Sequence, residues 1–349
     1  RERELTAPYD TNIKVGSIVE SSQTNIHAAL DEAAKAFEEW SKTPVDTRAK
    51  IFEKFADLLE ENQFEIISLC MREAGKTIAD SIAELREAVD FCRYYAARAR
   101  ALFTKPKTMQ GPTGELNELS LHGRGVFMCI SPWNFPLAIF TGQVVAALVS
   151  GNTVIAKPAE QTPLIATFSV KLMLKAGLPK NVISLLPGDG ATIGNIALND
   201  QRIAGVVFTG STETANTIQK TLTSRGGAIV PFIAETGGLN TMIVDSSALI
   251  EQAVDDIITS AFGSTGQRCS ALRVLYVQED IADELIKTLR GAMEILSIGP
   301  PLDFSNDLGP VIDLEAYNKL NDYINEAIKP SPSGRGLPGY FIPPTALDR

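Results

Sequence analysis

From Gly125 onward, short apolar runs alternate with segments of helical pattern, and this alternation restricts the possible folds more than any other feature of the sequence. The helical segments lie at about residues 137–149, 163–174 and 191–198, with another after residue 211. An order in which strands and helices alternate predicts an α/β fold with a parallel, doubly wound sheet. The runs predicted to form its strands are Val126–Ile130, Thr153–Ala156, Val182–Leu186 and Val206–Thr209.

The chain before this sheet has a helical pattern from about Asn25 to Phe103. Apolar residues there recur at the spacing of one helix face, with breaks at turn-forming residues. Residues 105–122, which join this region to the sheet, are polar and interrupted by Gly and Pro. They predict either an extended hairpin or a linker.

A second α/β block follows Ala234. Its strand-like run, Leu272–Val277, lies between helical patterns near residues 247–261 and 281–295. We therefore predict two domains, the first comprising residues 1–234 and the second residues 235–349.

The composition excludes several classes of function. Lys and Arg number 32 against 42 Asp and Glu, which gives a net charge of -10. Nucleic acid and anionic lipid are poor partners for so acidic a chain. No uninterrupted apolar stretch reaches the roughly 18 residues of a membrane helix, and the first residues lack the apolar core of a signal peptide. Because His27 and His122 are the only histidines, neither a His-based zinc site nor any other metal site is predicted, and a Ser-His-Asp hydrolase is disfavoured.

The four cysteines differ in their surroundings. They are widely spaced, without a CxxC pair, and so indicate neither a disulfide framework nor a metal knuckle, and a reducing, cytoplasmic setting is predicted. Cys70 and Cys129 lie in apolar runs and Cys92 lies in a helical pattern, so all three are predicted to be packing residues. Cys269 instead follows a Gly-rich loop and stands next to a cation, Arg268.

Gly-rich segments suggest a nucleotide site without establishing it. Gly188–Gly194 has one residue too many for the G-x-G-x-x-G fingerprint. Phe208–Thr212 joins a strand to a helix, where backbone N–H groups can receive a pyrophosphate. The alternative there is an ordinary junction capped by Ser211. Lys157 and Glu160 follow another strand, and they fit either a ribose or a solvated surface pair.

Five motifs occur in one order along the chain. They are Pro132–Pro136 (PWNFP), Lys157–Glu160 (KPAE), Phe208–Thr212 (FTGST), Glu235–Gly238 (ETGG) and Gly266–Ser270 (GQRCS). This succession resembles the NAD(P)-dependent aldehyde dehydrogenase superfamily, and the resemblance covers residues 12–345. Within the superfamily, the sequence around the motifs is similar to the L-glutamate γ-semialdehyde (1-pyrroline-5-carboxylate) dehydrogenase module of the proline utilization A proteins.

The resemblance implies a catalytic set of three residues. Cys269 would attack the aldehyde carbon, and Glu235 would activate the water that hydrolyses the resulting thioester. Asn134, with the backbone N–H of Cys269, would form the oxyanion hole. These residue types suit the reaction, because a thiolate is a strong nucleophile and no His lies near the motifs to act as the base.

The resemblance also implies NAD as the cofactor and a small aldehyde as the substrate. Lys157 and Glu160 would hold the adenosine ribose, while Gly210 and Ser211 would contact the pyrophosphate. Ile130, Ser131, Trp133 and Gly188 would line the cofactor groove. Phe135 would form an aromatic wall of the substrate pocket.

The end of the sequence departs from the family pattern. Gly339–Thr345 looks like the segment that precedes a Glu-Ile-Phe-Gly-Pro motif, but the sequence stops at Arg349. The resemblance thus implies a truncated catalytic domain, and it does not favour the family's homo-oligomer without the C-terminal strand, although residues 105–122 match its oligomerisation hairpin. Two alternatives stay open besides a glutamate-semialdehyde dehydrogenase. One is a catalytically incomplete NAD-binding fragment, and the other is a dehydrogenase for another short aldehyde.

Overall fold

The structure is a computed structural model, and it describes residues 1–327 and 338–347. The second predicted domain, residues 235–349, therefore lies partly outside the described residues. The helices are α1 (Gln23–Trp40), α2 (Val45–Glu61), α3 (Gln63–Ala74), α4 (Ile78–Phe103), α5 (Ala138–Val149), α6 (Pro163–Ala176), α7 (Gly190–Ala197), α8 (Thr212–Ser224), α9 (Ile250–Phe262), α10 (Glu279–Ile295) and α11 (Leu314–Ala327).

The strands form one larger sheet and three two-stranded pairs. They are β1 (Glu2–Ala7), β2 (Asp10–Val19), β3 (Lys107–Met109), β4 (Asn117–Leu119), β5 (Val126–Ile130), β6 (Thr153–Lys157), β7 (Ile183–Leu185), β8 (Ile203–Gly210), β9 (Phe232–Thr236), β10 (Asn240–Val244) and β11 (Leu272–Val277).

The larger sheet has five strands in the order β7-β6-β5-β8-β9. β5 pairs in parallel with both β6 and β8, and β6 pairs in parallel with β7. The parallel α/β sheet predicted from the alternating pattern is confirmed. β5 also has the predicted bounds, because an apolar run that is buried on both faces is recognisable without periodicity.

Helices cover both faces of the central strands. Met128 of β5 belongs to a buried cluster with Ile26 and Leu30 of α1. The next residue, Cys129, points to the opposite face, where its Sγ lies 3.7 Å from the Gln143 carbonyl oxygen of α5. α5 is buried over most of its surface, as its almost wholly apolar sequence requires. The central strands β5 and β6 are thus a covered core, and the polar residues of β6, Thr153 and Lys157, lie at its two ends.

The chain divides into two compact units. The first is Arg1–Arg3, Ser17–Ile66 and Ala83–Glu235, and the second is Glu4–Gly16, Ile67–Ile82 and Thr236–Arg349. The sequence-based division places residues 4–16 and 67–82 in the first domain, whereas the structure places them in the second unit. Tertiary packing that no local pattern encodes is the reason. A Cβ at Gly75, for example, would lie 2.7 Å from Pro310 Cγ.

The second unit contains a small parallel sheet of its own. β10 and β11 pair in parallel, and α9 and α10 pack against them. Val244, Val254, Leu272 and Leu285 are buried in the cluster that joins these elements. The strand predicted at Leu272–Val277 has the predicted bounds.

Two hairpins have exposed, mainly polar strands. β3 and β4 pair antiparallel, with Thr108 opposite Glu118, so residues 105–122 contain a hairpin and are not simply a linker. Its part in oligomerisation stays a prediction. β1 and β2 also pair, but the sequence analysis did not identify them, because charged and polar residues surround the few apolar ones, such as Leu5 and Ala7, that are buried.

A buried carboxylate fixes the start of α5. Glu84 of α4 is 1% exposed, and its Oε1 accepts hydrogen bonds from the backbone N–H groups of Leu137 (2.7 Å) and Ala138 (3.3 Å). Leu137, the residue that precedes the helix, has no side chain that can cap it. Glu84 therefore supplies the cap and places a negative charge at the positive end of the helix dipole.

We expect Glu84→Ala to lower the free energy of unfolding by about 2–4 kcal/mol, because it removes a charged cap and leaves buried N–H groups without an acceptor. Urea unfolding followed by circular dichroism measures the change. Asp90→Ala is the matched control, since Asp90 is an exposed carboxylate on the same helix, and it should shift stability by no more than about 0.5 kcal/mol. Equal effects of the two substitutions would contradict the capping role.

Candidate functional site

The carboxyl ends of β5, β6 and β8 bring several predicted cofactor residues together in the first unit. Ile130 is in register with Lys157 on one side and with Phe208 on the other. The backbone N–H of Ser131 donates to the Lys157 carbonyl at 3.1 Å. In open parallel sheets, ligands bind outside this edge. The parallel pairing thus explains why residues from separate motifs meet here.

Lys157 and Glu160 form one corner of this edge. Lys157 is buried, and its Nζ lies 3.7 Å from Glu160 Oε1. The alternative of a solvated surface pair therefore does not describe Lys157. Burial lowers the pKa of Lys157, and the negative charges of Glu160 and Asp189 act against that shift.

Glu160 is exposed, but its carboxylate is held in place. Its Oε1 accepts a hydrogen bond from the Gly190 N–H at 2.8 Å, and its own carbonyl accepts one from the Arg3 guanidinium at 2.7 Å. Asp189 caps α7 by accepting from the Thr192 N–H at 2.6 Å. Two carboxylates are consequently fixed beside Lys157.

Gly188 lies in the loop between β7 and α7 and adopts a φ of 143°, which L-residues with side chains rarely adopt. Gly190, the first residue of α7, also lacks a side chain, and a Cβ there would lie 3.4 Å from Lys157 Nζ. This segment lacks the G-x-G-x-x-G spacing, but its glycines leave the backbone accessible near Lys157.

Gly210 ends β8, and Ser211 is the N-cap of α8. The Ser211 hydroxyl accepts a hydrogen bond from the Thr214 N–H at 3.1 Å. The capping interpretation of Ser211 is therefore correct for this structure. The start of α8 still carries the positive end of the helix dipole, and a pyrophosphate contact of Gly210 and Ser211 stays a prediction.

The residues of the PWNFP motif lie in the bend between β5 and α5. Ser131 is buried, whereas Trp133, Asn134 and Phe135 are partly exposed. Gln143 of α5 steadies this end of the sheet by donating to the Ile130 carbonyl (3.2 Å) and to Thr209 Oγ1 (2.9 Å). Glu235 lies on β9 and is exposed to solvent.

Cys269 belongs to the second unit, unlike the other predicted site residues, and it follows a turn of unusual backbone geometry. After α9, Ser264, Thr265 and Gly266 have φ values of 55°, 56° and 67°. The left-handed conformation costs a residue with a side chain roughly 1–2 kcal/mol. Such a turn persists only where surrounding contacts hold it.

Two other segments of the second unit supply those contacts. The Ser264 hydroxyl lies 3.2 Å from Lys76 Nζ, which donates to it, and Thr265 Oγ1 donates to the Gly309 carbonyl at 3.1 Å. Gln267 Oε1 accepts from the Ile312 N–H at 2.9 Å. The turn is therefore tied to residues far away in the sequence.

The two supporting segments also contact each other directly, at Gly75 and Gly309. Gly75 has a φ of 67°, and a Cβ on Gly309 would lie 2.3 Å from the Gly75 carbonyl oxygen. No residue other than glycine fits Gly309 without a shift of the backbone.

Asn240, which the sequence analysis did not single out, holds the segment around Cys269 itself. Its Nδ2 donates to the carbonyls of Cys269 (2.7 Å) and Ala271 (2.9 Å). Arg273 similarly donates to the Gly266 carbonyl at 2.7 Å. The only sequence signal for Asn240 is its position two residues after the ETGG motif.

The four thiols differ as the sequence predicts. Cys70, Cys92 and Cys129 are buried, whereas Cys269 is exposed. Burial raises the pKa of the Cys92 and Cys129 thiols well above the ordinary value. Among the described residues, Cys269 is therefore the cysteine that solvent-borne reagents can reach.

In the described part of the chain, no group of three or more His, Cys, Asp or Glu residues is placed to hold a metal ion. None of the described helices is long and apolar enough to cross a membrane.

The parallel sheet covered by helices and the exposed Cys269, which follows a turn held by hydrogen bonds, are both features that fit one protein family. The pattern of the aldehyde dehydrogenase family matches residues 1–349, and the chain belongs to this family.

Among its relatives, the chain is 46% identical to the bifunctional protein PutA of Klebsiella aerogenes, over 98% of this chain and 26% of PutA. It is 37% identical to the 1-pyrroline-5-carboxylate dehydrogenase of Anoxybacillus flavithermus, over 97% of this chain and 67% of the relative. The solved structure of 1-pyrroline-5-carboxylate dehydrogenase from Thermus with bound NAD superposes with a TM-score of 0.92 at 32% identity, over 99% of this chain and 68% of that one. The chain thus spans about a quarter of PutA and about two thirds of these dehydrogenases.

We expect limiting iodoacetamide to modify Cys269 at least about 10-fold faster than any other cysteine, because only a thiolate that reagent can reach reacts. Peptide mapping by mass spectrometry at several times gives the four rates. Labelling in denaturant is the control, and there the four rates should converge. Preferential labelling of Cys70 or Cys129 in the folded protein would contradict the assignment.

Proposed function

We propose that the chain carries the catalytic cysteine and the NAD site of a dehydrogenase that oxidises L-glutamate γ-semialdehyde to L-glutamate. The observation that carries the proposal is the exposed thiol of Cys269 on a turn held from several sides, in a chain of the aldehyde dehydrogenase family. The substrate follows from the similarity to relatives named 1-pyrroline-5-carboxylate dehydrogenase and PutA.

The edge of the larger sheet has features that fit NAD. A buried lysine and a fixed carboxylate, Lys157 and Glu160, can hydrogen-bond the hydroxyls of the adenosine ribose from two sides. The side-chain-free backbone of Gly188 permits close approach, and the start of α8 after Gly210 and Ser211 suits a pyrophosphate. Ile130, Ser131 and Trp133 would line the groove. Bound NAD would supply an acceptor for the hydride that leaves the aldehyde carbon.

The chemistry of the chain's own residues has two halves. In the first, the Cys269 thiolate attacks the aldehyde carbon and forms a thiohemiacetal, which becomes a thioester after oxidation. The Asn134 amide and the Cys269 N–H would stabilise the developing oxyanion, and one such donor can contribute roughly 2.7–4 kcal/mol. Phe135 would pack against the substrate.

In the second half, Glu235 would accept a proton from the water that attacks the thioester. Its exposure on β9 supports this role, since the base must return its proton to solvent after each cycle. The acid product then leaves, and Cys269 is regenerated as a thiol.

A comparison of NAD binding with NADH formation distinguishes this proposal from the alternative, an NAD-binding fragment without turnover. NAD binding is measured by titration calorimetry, and NADH formation from the semialdehyde is measured by absorbance on the same sample. Binding without NADH would support the fragment. NADH formed preferentially from other short aldehydes would instead support the third alternative.

We expect Glu235→Gln to retain a rapid first burst of NADH and to lower the steady-state rate by about 10²-fold or more, because the base acts mainly in thioester hydrolysis. Stopped-flow absorbance resolves the two phases. Glu38→Gln, which changes an exposed carboxylate on α1, should behave like the unmodified protein. Loss of the burst together with turnover would mean that Glu235 activates the thiol instead.

We also expect NAD to bind more tightly than NADP, because Glu160 and Asp189 would repel a 2′-phosphate. Glu160→Gln should narrow the preference by about 10-fold, which corresponds to about 1.4 kcal/mol. Titration calorimetry with both cofactors gives the ratio, and Glu38→Gln again serves as the control. Equal affinities in the unmodified protein would show that Glu160 does not face the ribose.

A further inference from the structure

An ion pair joins the residue before the nucleophile to the start of α4. The Nη2 of Arg268 lies 2.6 Å from Oδ1 of Asp80, and the two side chains are only 27% and 11% exposed. The two residues are 188 positions apart in the sequence, and both belong to the second unit.

Asp80 is itself held by two hydrogen bonds to the side chain of Thr77. Its backbone N–H donates to Thr77 Oγ1 at 3.2 Å, and its Oδ2 accepts from the same hydroxyl at 2.8 Å. Thr77 directly precedes α4, so this pair closes the start of the helix. One carboxylate oxygen of Asp80 therefore serves the helix, and the other serves Arg268.

The ion pair with Asp80 determines what the Arg268 guanidinium can do for the neighbouring Cys269. A free guanidinium beside a thiol stabilises the thiolate, but here the charge of Arg268 is directed to Asp80 at hydrogen-bond distance. What the pair supplies to Cys269 is a fixed position for the preceding residue. On the other side, Asn240 holds the carbonyl of Cys269 at 2.7 Å.

The turn before Arg268 makes such anchoring necessary. Ser264, Thr265 and Gly266 hold three consecutive left-handed conformations, which relax toward ordinary ones when their restraints are removed. A pair that fixes Arg268 prevents this relaxation from reaching the thiol.

We propose that Asp80 is a positioning residue for Cys269 and that it acts through Arg268. The catalytic consequence rests on the function proposed above. The effect on thiol chemistry does not, because alkylation of Cys269 requires neither cofactor nor substrate.

The test compares Asp80→Asn with the conservative Asp80→Glu and with the double variant Asp80→Asn/Arg268→Gln. Glu60→Gln is the matched control, since Glu60 also pairs with an arginine at 2.6 Å, Arg93 of α4, on the surface of the first unit. Each protein is treated with limiting iodoacetamide, and the rate at each of the four cysteines is measured by mass spectrometry. The kcat and KM for NADH formation are measured in parallel.

In Asp80→Asn, we expect Cys269 to be alkylated about 3- to 10-fold faster, because the released guanidinium stabilises the thiolate. We expect kcat to fall about 10- to 100-fold, because a small misplacement of the reacting atom is enough to lose that much rate. KM should change less than about threefold. Asp80→Glu should recover most of both effects, and removal of the freed cation in the double variant should return alkylation to the original rate without restoring kcat.

The buried cysteines serve as internal reporters of unfolding. Cys70, Cys92 and Cys129 should remain protected in every variant, whereas a merely structural role of Asp80 would make these three buried thiols reactive as well. That result would overturn the proposal, as would a Cys269 rate within twofold of the unmodified protein, or an equal effect of Glu60→Gln. If the unmodified protein forms no NADH, the proposed function fails, and the alkylation rates alone decide the role of Asp80.

Discussion

Burial of both faces of β5 and β6 is the constraint on which the arrangement of the first unit depends. Such strands can carry only apolar side chains along their length, so polar chemistry is confined to their ends. Because β5, β6 and β8 run parallel, those ends lie at one edge, where Ser131, Lys157 and Gly210 follow or end adjacent strands. Glu84 then fixes the start of α5, the helix that follows the bend at this edge. The edge formed by the carboxyl ends of these strands is therefore polar because the rest of each strand is buried.

In the second unit, Cys269 is positioned differently, by a loop whose conformation is restrained. Cys269 follows a turn in which Ser264 and Thr265 hold conformations that residues with side chains rarely adopt. The free energy that this turn costs is offset by hydrogen bonds from segments far away in the sequence. Each of these bonds is modest alone. Together they leave the thiol on a backbone with few alternative conformations, which is the condition that an attack at a defined distance requires.

The sequence predicts the first unit better than the second for a physical reason. Apolar runs and the residues at their ends are local signals, so the strands could be predicted from them. The roles of Ile130, Lys157 and Glu160 were implied only by the resemblance to a family. The motif around Cys269 was also recognisable, but its supports were not, because Asp80 and Arg268 are joined only by tertiary structure. The assignment of residues 67–82 to the second unit was unpredictable for the same reason. β1 and β2 were missed because their side chains are largely exposed and polar.

The contact between Gly75 and Gly309 limits which substitutions the sequence can tolerate at this place. A Cβ on Gly309 would meet the Gly75 carbonyl oxygen at 2.3 Å, so a substitution there must push two backbone segments apart. The Gly309 carbonyl also accepts the hydroxyl of Thr265, and the displacement would therefore be passed on to the turn before Cys269. Substitutions at Gly309 are consequently restricted by packing alone, although this residue has no side chain that could take part in chemistry.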